Sequence, residues 1–521
     1  MAEAKRYYVT TPIYYVNDAP HIGHAYTTLA CDVLARFKRL DGYDVKFLTG
    51  TDEHGQKVEK SAANAGIDPK TFTDRVSQNF RDLAAFMKFT NDDFIRTTEE
   101  RHRRSCQALW ARLLERDQIY LGNYAGWYAV RDEAFYGESE LTIGPNGKKV
   151  APSGAEVEWV EEPSYFFRLS AWQEPLLAFY EQNPEFILPL TRRNEVVSFV
   201  KGGLQDLSVS RTGFGWGIPV PNDEAHVMYV WLDALTNYIT AAGYPDTESE
   251  KYTHYWPADL HMVGKDILRF HAVYWPAFLM AAGLEPPRRV FAHGWWTNEG
   301  QKISKSVGNV IDPIKLVETY GLDQVRYFLL REVPFGNDGD FSHRAMVNRM
   351  NGELANDLGN LAQRVLSMIG KNCDGRVPPH GDFDQDDRDL LGMAQDLAEH
   401  TRHALDRQTF NEALEAIWVV VRAANAYVDR QAPWALRKTD PARMNTVLYC
   451  LAETIRHLAL ILQPFMPDST ARMLDQLAVP EQERTFEFLG PDHALRVGTV
   501  LPKPQGIFPR FVDPEGQGDA A

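Results

Sequence analysis

The sequence has few cysteines and lacks any long hydrophobic run. Only 4 of its 521 residues are cysteine, and no pair has the Cys-x-x-Cys spacing of a metal-binding knuckle. Their wide separation predicts reduced thiols at Cys31, Cys106, Cys373 and Cys450. No apolar run approaches the ~20 residues of a membrane-spanning helix, and the first residues lack the pattern of a signal peptide. We therefore expect a cytoplasmic protein with no membrane segment and no structural zinc.

Positive charge is also scarce. The formal net charge is −16, with 55 Lys and Arg against 71 Asp and Glu. A broad electrostatic grip on nucleic acid needs many basic side chains at phosphates, so this composition argues against one. It leaves room for a local basic face, because net charge says little about the field at any one place. At this length we expect roughly two to four domains.

The stretch from Thr10 to His24 is the first informative motif. It predicts the end of a strand, a short loop and the first turn of a helix. We expect Asn17 or Asp18 to cap that helix, and Pro20 fits its start because the first N–H groups have no partner inside a helix. Apolar residues then recur at spacings of three and four, which predicts a helix with one buried face.

This helix start has a His-x-Gly-His pattern. His21 and His24 place two imidazoles at a helix N-terminus, where unpaired N–H groups and the helix dipole already attract anions. Gly23 has no side chain, so a planar ring can lie close to the backbone. The simplest alternative is a pair of capping side chains. We interpret the pattern as a binding site for the phosphates of a nucleotide.

A second motif runs from Lys302 to Ser306. It contains two ammonium groups three positions apart, on Lys302 and Lys305, together with two hydroxyls, one of them on Ser304. Such a set suits a triphosphate better than a monophosphate, although a solvated basic loop is the plain alternative. The two motifs therefore predict one site that positions and neutralises a polyphosphate.

The hydrophobic patterns predict an α/β fold with a doubly wound parallel sheet, interrupted by an inserted domain and followed by an all-α helix bundle. After the insert, Val227 to Leu232 is expected to return as a buried strand. The expected segments are 1–119 and 225–300 for the two halves of a Rossmann-like domain, 120–224 for the insert, 301–347 for the second motif with a linking helical segment, 348–500 for the bundle and 501–521 for a tail.

Asp52 and two aromatic segments are further candidates. Asp52 follows a predicted strand, where a carboxylate is well placed to bind a substrate ammonium, although helix capping is the commoner role for an isolated Asp. Aromatic residues are dense in 229–238 and in 271–275. Their spacing alone favours an ordinary core. Arranged as a pocket, they would enclose a flexible apolar side chain and offer sulfur–aromatic contacts.

The two motifs, in this order and with a nucleotide-type fold between them, resemble the signatures of class I aminoacyl-tRNA synthetases. Nearly the whole chain resembles the methionyl-tRNA synthetase family. The stretches that carry this resemblance are Thr11–His24, Gly50–Gly55, Val230–Tyr238, Val263–Trp275, Lys302–Ser306 and Ala432–Trp434. The resemblance implies activation of L-methionine with Mg-ATP, followed by transfer of methionine to the 3′ end of tRNA(Met).

The resemblance also implies roles for individual residues. The catalytic set is His21, His24, Lys302 and Lys305. The ATP-binding set is His21, Gly23, His24, Gly294, Lys302, Ser304 and Lys305. The methionine-binding set is Ile13, Tyr15, Asp52, Trp231, Ala234, Leu235, Tyr238, Asp266, His271 and Trp275. Within these sets Asp52 matches the family's carboxylate that binds the α-ammonium of methionine. Asp266 and Gly294 fall in segments that lie on the nucleotide side of the family's site.

In the bundle, the resemblance assigns anticodon reading to Asn360, Arg364 and Trp434. Trp434 would stack on a splayed base while the other two bond to base edges, which is the usual mode for single-stranded RNA. Without the resemblance, an ordinary bundle surface with one buried Trp would be the better interpretation.

The chain departs from the family pattern in three ways. Many relatives carry Cys-x-x-Cys zinc knuckles in the insert, and this chain has none, so we expect an insert without metal. Many also carry a C-terminal tRNA-binding and dimerising domain, whose absence here favours a monomer. Ile303 stands where Met is commonest, and this volume-conserving change should be mild.

Two alternatives remain open from the sequence. One is a class I synthetase for another apolar amino acid, which pyrophosphate exchange with different amino acids would reveal. The other is a noncatalytic tRNA-binding relative, which would bind tRNA tightly without forming an adenylate. Such a relative would be expected to lose motif residues, and this chain keeps both motifs.

Overall fold

The computed structural model describes residues 5–16, 19–303 and 308–512. The chain forms two units, each packed mainly within itself. The first, which we call the helical unit, contains the described residues of 1–5, 21–44 and 294–521. The second, which we call the sheet unit, contains those of 6–20 and 45–293. Asn17, Asp18, Ser304 and Lys305 lie outside the described residues, and the roles predicted for Ser304 and Lys305 therefore stay predictions.

The strands of the described residues are short, with a few long exceptions. They are β1 (Arg6–Thr10), β2 (Tyr14–Tyr15), β3 (Asp44–Asp52), β4 (Asp93–Arg96), β5 (Ile119–Ala129), β6 (Ala134–Tyr136), β7 (Thr142–Ile143), β8 (Lys149–Val150), β9 (Glu158–Phe167), β10 (Ile187–Leu188), β11 (Leu207–Ser208), β12 (Ser210–Arg211), β13 (Pro219–Val220), β14 (Asp223–Met228), β15 (Leu260–Gly264), β16 (Val290–His293), β17 (Trp296–Asn298), β18 (Gln301–Lys302) and β19 (Gly339–Phe341).

The α-helices are longest in the C-terminal half. They are α1 (Ile22–Leu40), α2 (Gln56–Asn64), α3 (Pro69–Phe86), α4 (Glu100–Glu115), α5 (Gln173–Gln182), α6 (Leu190–Lys201), α7 (Val230–Ala242), α8 (Glu250–Tyr255), α9 (Trp275–Ala281), α10 (Pro313–Tyr320), α11 (Leu322–Arg331), α12 (His343–Asn348), α13 (Asn360–Asn372), α14 (Gln385–Asp406), α15 (Phe410–Gln431), α16 (Pro433–Thr439), α17 (Pro441–Leu462) and α18 (Pro467–Gln476). No described helix combines the length and the apolar character needed to cross a bilayer.

The main sheet of the sheet unit confirms the predicted fold class. Its strand order is β10-β16-β15-β1-β3-β2, with β4 also paired to β3. The pairs β1–β15, β15–β16, β10–β16, β2–β3 and β3–β4 are parallel. The chain order reverses between β1 and β15, and in open parallel sheets ligands bind outside the carboxyl ends of the strands at such a switch point. This edge carries the segments that follow Thr10 and Gly264.

The insert is built around a long antiparallel ribbon of β5 and β9, which pair from Ile119 with Phe167 to Tyr128 with Glu158. The strand expected over Val227–Leu232 is wrong. β14 ends at Met228 in a small antiparallel sheet, and α7 begins at Val230. A short apolar run of this kind fits a buried strand or a buried helix equally well, and periodicity alone does not separate them. The predicted domain bounds stay predictions.

In the helical unit, α1 is fastened by polar contacts along its length. The Ile22 N–H donates to the Ile311 carbonyl at 3.1 Å. Asp32 pairs with Arg326 at 2.8 Å, and both side chains are fully buried. Nearer the helix end, Lys38 pairs with Asp406 at 2.6 Å. Asp41, just after the helix, pairs with Arg402 at 2.7 Å. α1 therefore joins residues that are distant in sequence into one unit.

The bundle confirms the apolar stripes expected after residue 348, with one difference of helix type. Leu354 and Leu358 are buried as expected, but residues Arg349–Gly359 form a π-helix that continues into α13. The wider turn changes which side chains lie above one another, and a spacing of three and four does not reveal it.

A C-terminal strap of residues 502–512 runs along the helical unit. The Gln476 side-chain amide donates to the Gln505 carbonyl at 3.0 Å and accepts from its N–H at 2.9 Å. Asn351 holds the backbone of Phe511 in the same way, at 3.1 and 2.8 Å. Side-chain amides thus hold the backbone of the strap at two points, Gln505 and Phe511.

Candidate active site

The two histidines of the first motif cap α1 themselves. The Gly23 N–H donates to His21 Nδ1, and the His21 N–H donates to His24 Nδ1, both at 3.0 Å. This reciprocal capping box corrects the expectation that Asn17 or Asp18 caps the helix, because α1 begins at Ile22 with His21 as its cap. The first N–H groups of a helix need such partners, and imidazole nitrogens supply them here.

This capping fixes the chemistry of both imidazoles. Since each Nδ1 accepts a hydrogen bond, the neutral rings carry their protons on Nε2. Burial, and after it the neighbouring His21, hold the pKa of His24 well below its ordinary value. The two rings lie 3.9 Å apart, centroid to centroid. The helix start therefore presents two N–H donors without bringing a fixed positive charge, an arrangement suited to phosphate oxygens.

Gly23 has a local role that the sequence did not reveal. A Cβ at this position would lie 2.9 Å from His21 Cε1. The imidazole of His21 thus occupies the space next to the Gly23 backbone that we expected a substrate ring to use. A glycine is required here because the capping ring folds back over the chain.

The second motif lies at the end of a small hairpin in the helical unit. Lys302 ends β18, which pairs with β17, and its side chain is exposed. The Asn309 side chain donates to the Lys302 carbonyl at 3.0 Å, and the Asn298 side chain donates to the Asn309 carbonyl at 2.9 Å. These amides join the described residues that flank the predicted Lys302–Ser306 loop, of which Ser304 and Lys305 lie outside the described part of the chain.

The structure attaches this loop to the first motif. The hydrogen bond from Ile22 to Ile311 joins the first residue of α1 to the segment that leaves the loop. The bases of the two motifs therefore lie beside each other in one compact unit, although about 280 residues separate them in sequence. Gly294, in the same unit, lies against another loop, since a Cβ there would be 2.3 Å from the Asn337 carbonyl oxygen.

Most of the predicted aromatic residues of the sheet unit lie in one buried cluster. The Tyr238 hydroxyl bonds to His271 Nε2 at 2.6 Å, and its ring stacks on His261 at 4.0 Å. Trp275 donates to His261 Nε2 at 3.2 Å. Trp231 stacks on Phe270, with centroids 3.7 Å apart. His261 and Phe270 belong to this cluster, and neither was predicted from the sequence.

The imidazoles of this cluster are neutral. Burial lowers the pKa of His271 to about 4 and holds the pKa of His261 well below its ordinary value. His271 Nδ1 donates to the Ile267 carbonyl at 2.9 Å, so Nε2 accepts the proton of Tyr238. The residues Phe270–Tyr274 form a π-helix, a distortion often found at functional sites. The cluster therefore offers an aromatic, uncharged wall.

The remaining members of the methionine-binding set also belong to the sheet unit. Ala234 and Leu235 are buried on α7. Ile13 and Tyr15 are half-buried after β1, and Asp266 lies in the turn after β15. Ile13, Tyr15, Asp52 and Asp266 thus lie at or just after the carboxyl ends of adjacent parallel strands, whereas the other six members lie on α7 or in 271–275.

Asp52 is a buried carboxylate at the end of β3. Its Oδ1 atom has no hydrogen-bond partner among the described residues. Burial, and after it the charges of Asp233 and Glu133, raise the pKa of Asp52 well above its ordinary value. A buried oxygen without a partner is costly unless a ligand supplies the missing donor. Asp52 is therefore suited to bind a cation such as a substrate ammonium.

A second buried carboxylate, Asp233, lies between two imidazoles. Its Oδ2 bonds to His54 Nδ1 at 2.6 Å and its Oδ1 to His102 Nε2 at 2.7 Å. Burial alone would raise the pKa of Asp233, but the charge of His54 and hydrogen bonds from both rings lower it to about 2. No sequence spacing revealed this group, since its members come from three distant segments.

The neighbouring Cys106 makes this group resemble a metal site. His102, Cys106 and Asp233 each offer one ligand atom within 4.8 Å of the others. Zinc bonds of ~2.0–2.3 Å in tetrahedral geometry place ligand atoms about 3.3 Å or more apart. Cys106 Sγ lies 3.2 Å and Asp233 Oδ1 2.7 Å from the same His102 nitrogen. These distances fit hydrogen bonds and not zinc ligation.

The candidate anticodon readers lie together on the bundle. Arg364 on α13 lies with its guanidinium 5.8 Å from the ring centre of Trp434 on α16. Asn360 is exposed one turn before Arg364, and half of the Trp434 surface is exposed. An exposed Trp next to a guanidinium is the arrangement expected for stacking on single-stranded bases.

Four features are together typical of a class I aminoacyl-tRNA synthetase. They are a parallel sheet with a switch point, a helix start lined by imidazoles, the Lys302 segment attached to that helix start, and a separate helix bundle. The family model described as tRNA synthetases class I (M) matches residues 7–366. The model described as the anticodon binding domain of methionyl tRNA ligase matches residues 377–518.

Individual relatives agree with these matches. The chain is 59% identical over 513 residues to the methionine–tRNA ligase of Brucella suis biovar 1 (strain 1330), covering 98% of this chain and 99% of the relative. The corresponding ligase of Rickettsia felis is also 59% identical, over 97% of this chain and 98% of its own. The Mycobacterium tuberculosis methionyl-tRNA synthetase in complex with methionyl-adenylate has a TM-score of 0.95 and 55% identity, covering 97% of this chain and 100% of its own. The chain belongs to the methionyl-tRNA synthetase family.

Proposed function

We propose that the enzyme activates L-methionine with Mg-ATP and that the residues assigned above divide the work between the two substrates. An oxygen of the methionine carboxylate attacks the α-phosphorus of ATP. A new O–P bond forms, the bond to the bridging oxygen breaks, and pyrophosphate leaves with the electron pair. A hydroxyl at the 3′ end of tRNA(Met) then attacks the carbonyl carbon of the methionyl-adenylate, so that an ester bond forms, the acyl–phosphate bond breaks and AMP leaves with the electron pair.

On the ATP side, catalysis needs placement and positive charge more than covalent chemistry. The Nε2–H groups of His21 and His24 donate to phosphate oxygens, and Lys302, Ser304 and Lys305 neutralise and bind the pyrophosphate as charge builds on it. The support is the bond between Ile22 and Ile311, which keeps the two motifs in one unit. Mg2+ enters as part of the substrate. On the ATP side, Gly294 allows its backbone segment to pack closely against the backbone at Asn337.

On the methionine side, Asp52 binds the α-ammonium and the aromatic cluster encloses the thioether. The support is the buried Asp52 oxygen without a partner among the described residues. Neutral imidazoles and aromatic faces suit sulfur, with contacts worth ~0.3–1.5 kcal/mol each. Such a pocket rejects a side chain one methylene shorter by only ~1–3 kcal/mol.

The bundle reads the anticodon through Asn360, Arg364 and Trp434. We propose that the insert holds no structural zinc, because the chain has no Cys-x-x-Cys pair. We also propose that the enzyme acts in the cytoplasm, where charged tRNA is used, and as a monomer, which sedimentation would test.

The decisive experiment is methionine-dependent ATP–pyrophosphate exchange with wild-type protein and with Asp52→Asn. Losing a charge-assisted bond of ~1.5–3 kcal/mol should raise the KM for methionine about 10- to 150-fold and leave the KM for ATP nearly unchanged. Glu161→Gln, an exposed carboxylate of β9, is the control. Absence of exchange from folded protein, or exchange driven by another amino acid, would refute the proposed function. An unchanged KM for methionine would remove Asp52 from the site.

A further inference from the structure

Glu133 is a buried carboxylate that the insert contributes to the edge of the methionine-binding set. It lies in the turn between β5 and β6 with a positive φ of 48° and is only 4% exposed. Its backbone carbonyl accepts a hydrogen bond from the Tyr229 hydroxyl at 3.0 Å. A non-glycine residue is rarely held in this conformation unless its surroundings fix it, so the position of the side chain is well determined.

The carboxylate contacts Tyr15 on β2 and the backbone of Lys57, which follows β3. Glu133 Oε1 lies 2.5 Å from the Tyr15 hydroxyl and accepts from the Lys57 N–H at 3.0 Å. Its Oε2 has no hydrogen-bond partner among the described residues. A Cβ on Gly55 would lie 2.4 Å from that oxygen and 2.7 Å from the Tyr15 hydroxyl, so a glycine is needed to admit the pair.

Tyr15 is the register neighbour of Asp52, since β2 and β3 pair Tyr15 with Asp52 in parallel. Its hydroxyl also lies 3.0 Å from the His54 carbonyl oxygen. A phenol has one proton, so Tyr15 satisfies both neighbours only when Glu133 is protonated and donates to the phenol oxygen. The ring of Tyr15 is then tied to the insert and to the segment after Asp52 at once.

The charges around Glu133 are consistent with this arrangement. Burial raises the pKa of Glu133 to about 7, against hydrogen bonds from Tyr15 and the Lys57 N–H and the charges of Lys57 and Arg211. The charge of Glu133 contributes in turn to the raised pKa of Asp52 on β3 and of Tyr128 on β5. Near neutral pH a large share of the molecules therefore has the proton that completes both bonds.

We propose that Glu133 is a positioning residue for the amino-acid substrate, acting through the Tyr15 hydroxyl to hold that ring beside Asp52. The proposal rests on the proposed methionine site. It gives the insert an indirect part in binding the amino acid, through Tyr15, and it distinguishes Glu133 from Asp52, which contacts the substrate itself.

The test measures exchange kinetics for Glu133→Ala, Glu133→Gln and Tyr15→Phe, with Glu161→Gln as the control. Glu133→Ala should raise the KM for methionine about tenfold, the effect of losing ~1.4 kcal/mol, with kcat and the KM for ATP within about twofold. Glu133→Gln keeps a donor for the Tyr15 oxygen in its amide NH2 group and should stay within about threefold of wild type. In the Tyr15→Phe background, Glu133→Ala should add less than about twofold, because the bond it removes is already gone.

Three outcomes would overturn the proposal. They are an unchanged KM for methionine in Glu133→Ala, an equal loss for methionine and ATP, and additive effects of Glu133→Ala and Tyr15→Phe. Should Glu133→Ala not fold, Glu133→Gln decides, since a KM for methionine that rises well beyond about threefold in this variant contradicts the proposal. Asp52→Asn separates this failure from failure of the proposed function. If Asp52→Asn raises the KM for methionine and the Glu133 variants do not, only the role of Glu133 is wrong.

Discussion

Asp233 illustrates how side chains from distant parts of the chain build the surroundings of the site. His54 and His102 lie 179 and 131 residues away from it in sequence, yet both bond to its carboxylate. His21, His24 and Asp52 could be proposed from the sequence because each belongs to a short local motif. Asp233, Glu133 and their partners were not, since no local spacing marks residues that meet only in the fold.

Replacing Asp233 should destabilise the protein without any direct contact with substrate. Asp233→Asn removes the charge between two imidazoles and should lower the free energy of unfolding by about 2–4 kcal/mol at pH 7. Because the folded pKa of Asp233 is about 2, below its ordinary 3.8, its contribution is present above pH 4 and fades as the pH falls toward 2. Urea unfolding at pH 7 and at low pH measures this.

The control for that measurement is Asp82→Asn, an exposed carboxylate on α3. Its effect should stay within about 0.5 kcal/mol at every pH. A loss for Asp233→Asn that matches the control at pH 7, or that grows on acidification, would show that the two imidazoles do not stabilise the charge.

At the scale of elements, the strands and most helices follow the sequence patterns, and the exceptions share a cause. α7 was mistaken for a strand at its start because an apolar run fits both. The π-helices Phe270–Tyr274 and Arg349–Gly359 were missed because one extra residue per turn leaves little trace in hydrophobic spacing. Explicit end signals agree with the structure where they occur, since Asp312 caps α10 and Gly321 follows its last residue.

Gly294 allows a close approach between two segments of the helical unit. Gly294→Ala places a methyl group 2.3 Å from the Asn337 carbonyl oxygen, so backbone must move, at a cost of about 1–3 kcal/mol. Gly352→Ala is the matched control, since a Cβ there meets nothing within 4 Å and should be neutral or stabilising. Equal thermal unfolding midpoints for the two variants would contradict this account.

At the scale of the whole molecule, the family could be predicted from two motifs, and the order of the domains from changes in the hydrophobic pattern along the chain. The membership of α1 in the helical unit could not. Its sequence neighbours β1 and β3 belong to the main sheet. The order of strand, helix and strand along the chain indicated a simple strand–helix–strand unit. Its polar partners Arg326, Asp406 and Arg402 are 294, 368 and 361 residues away, beyond the reach of any local pattern.

The division into parts predicts that tRNA recognition and amino-acid activation can be separated. Trp434→Ala removes a stacking surface worth ~1–3 kcal/mol per base and should lower kcat/KM for tRNA charging about 5- to 150-fold. Methionine-dependent exchange should stay within about twofold of wild type, since Trp434 is not among the residues assigned to methionine or ATP.

Trp159→Ala, which removes an exposed tryptophan of the insert, is the matched control and should leave charging nearly unchanged. A parallel loss of exchange and charging in Trp434→Ala would place Trp434 in the fold of the protein and not in anticodon reading.

The fastening of α1 has a consequence for how the protein is made. A ribosome adding ~5–20 residues per second completes α1 about 15 to 75 s before it supplies Arg326, Arg402 and Asp406. During that interval the side chains that pair with the aspartates of the nascent helix and pack on its apolar side have not yet been synthesised. Although α1 is synthesised early, it is thus among the last helices to make its stabilising contacts, and we expect chaperones to bind it in the meantime.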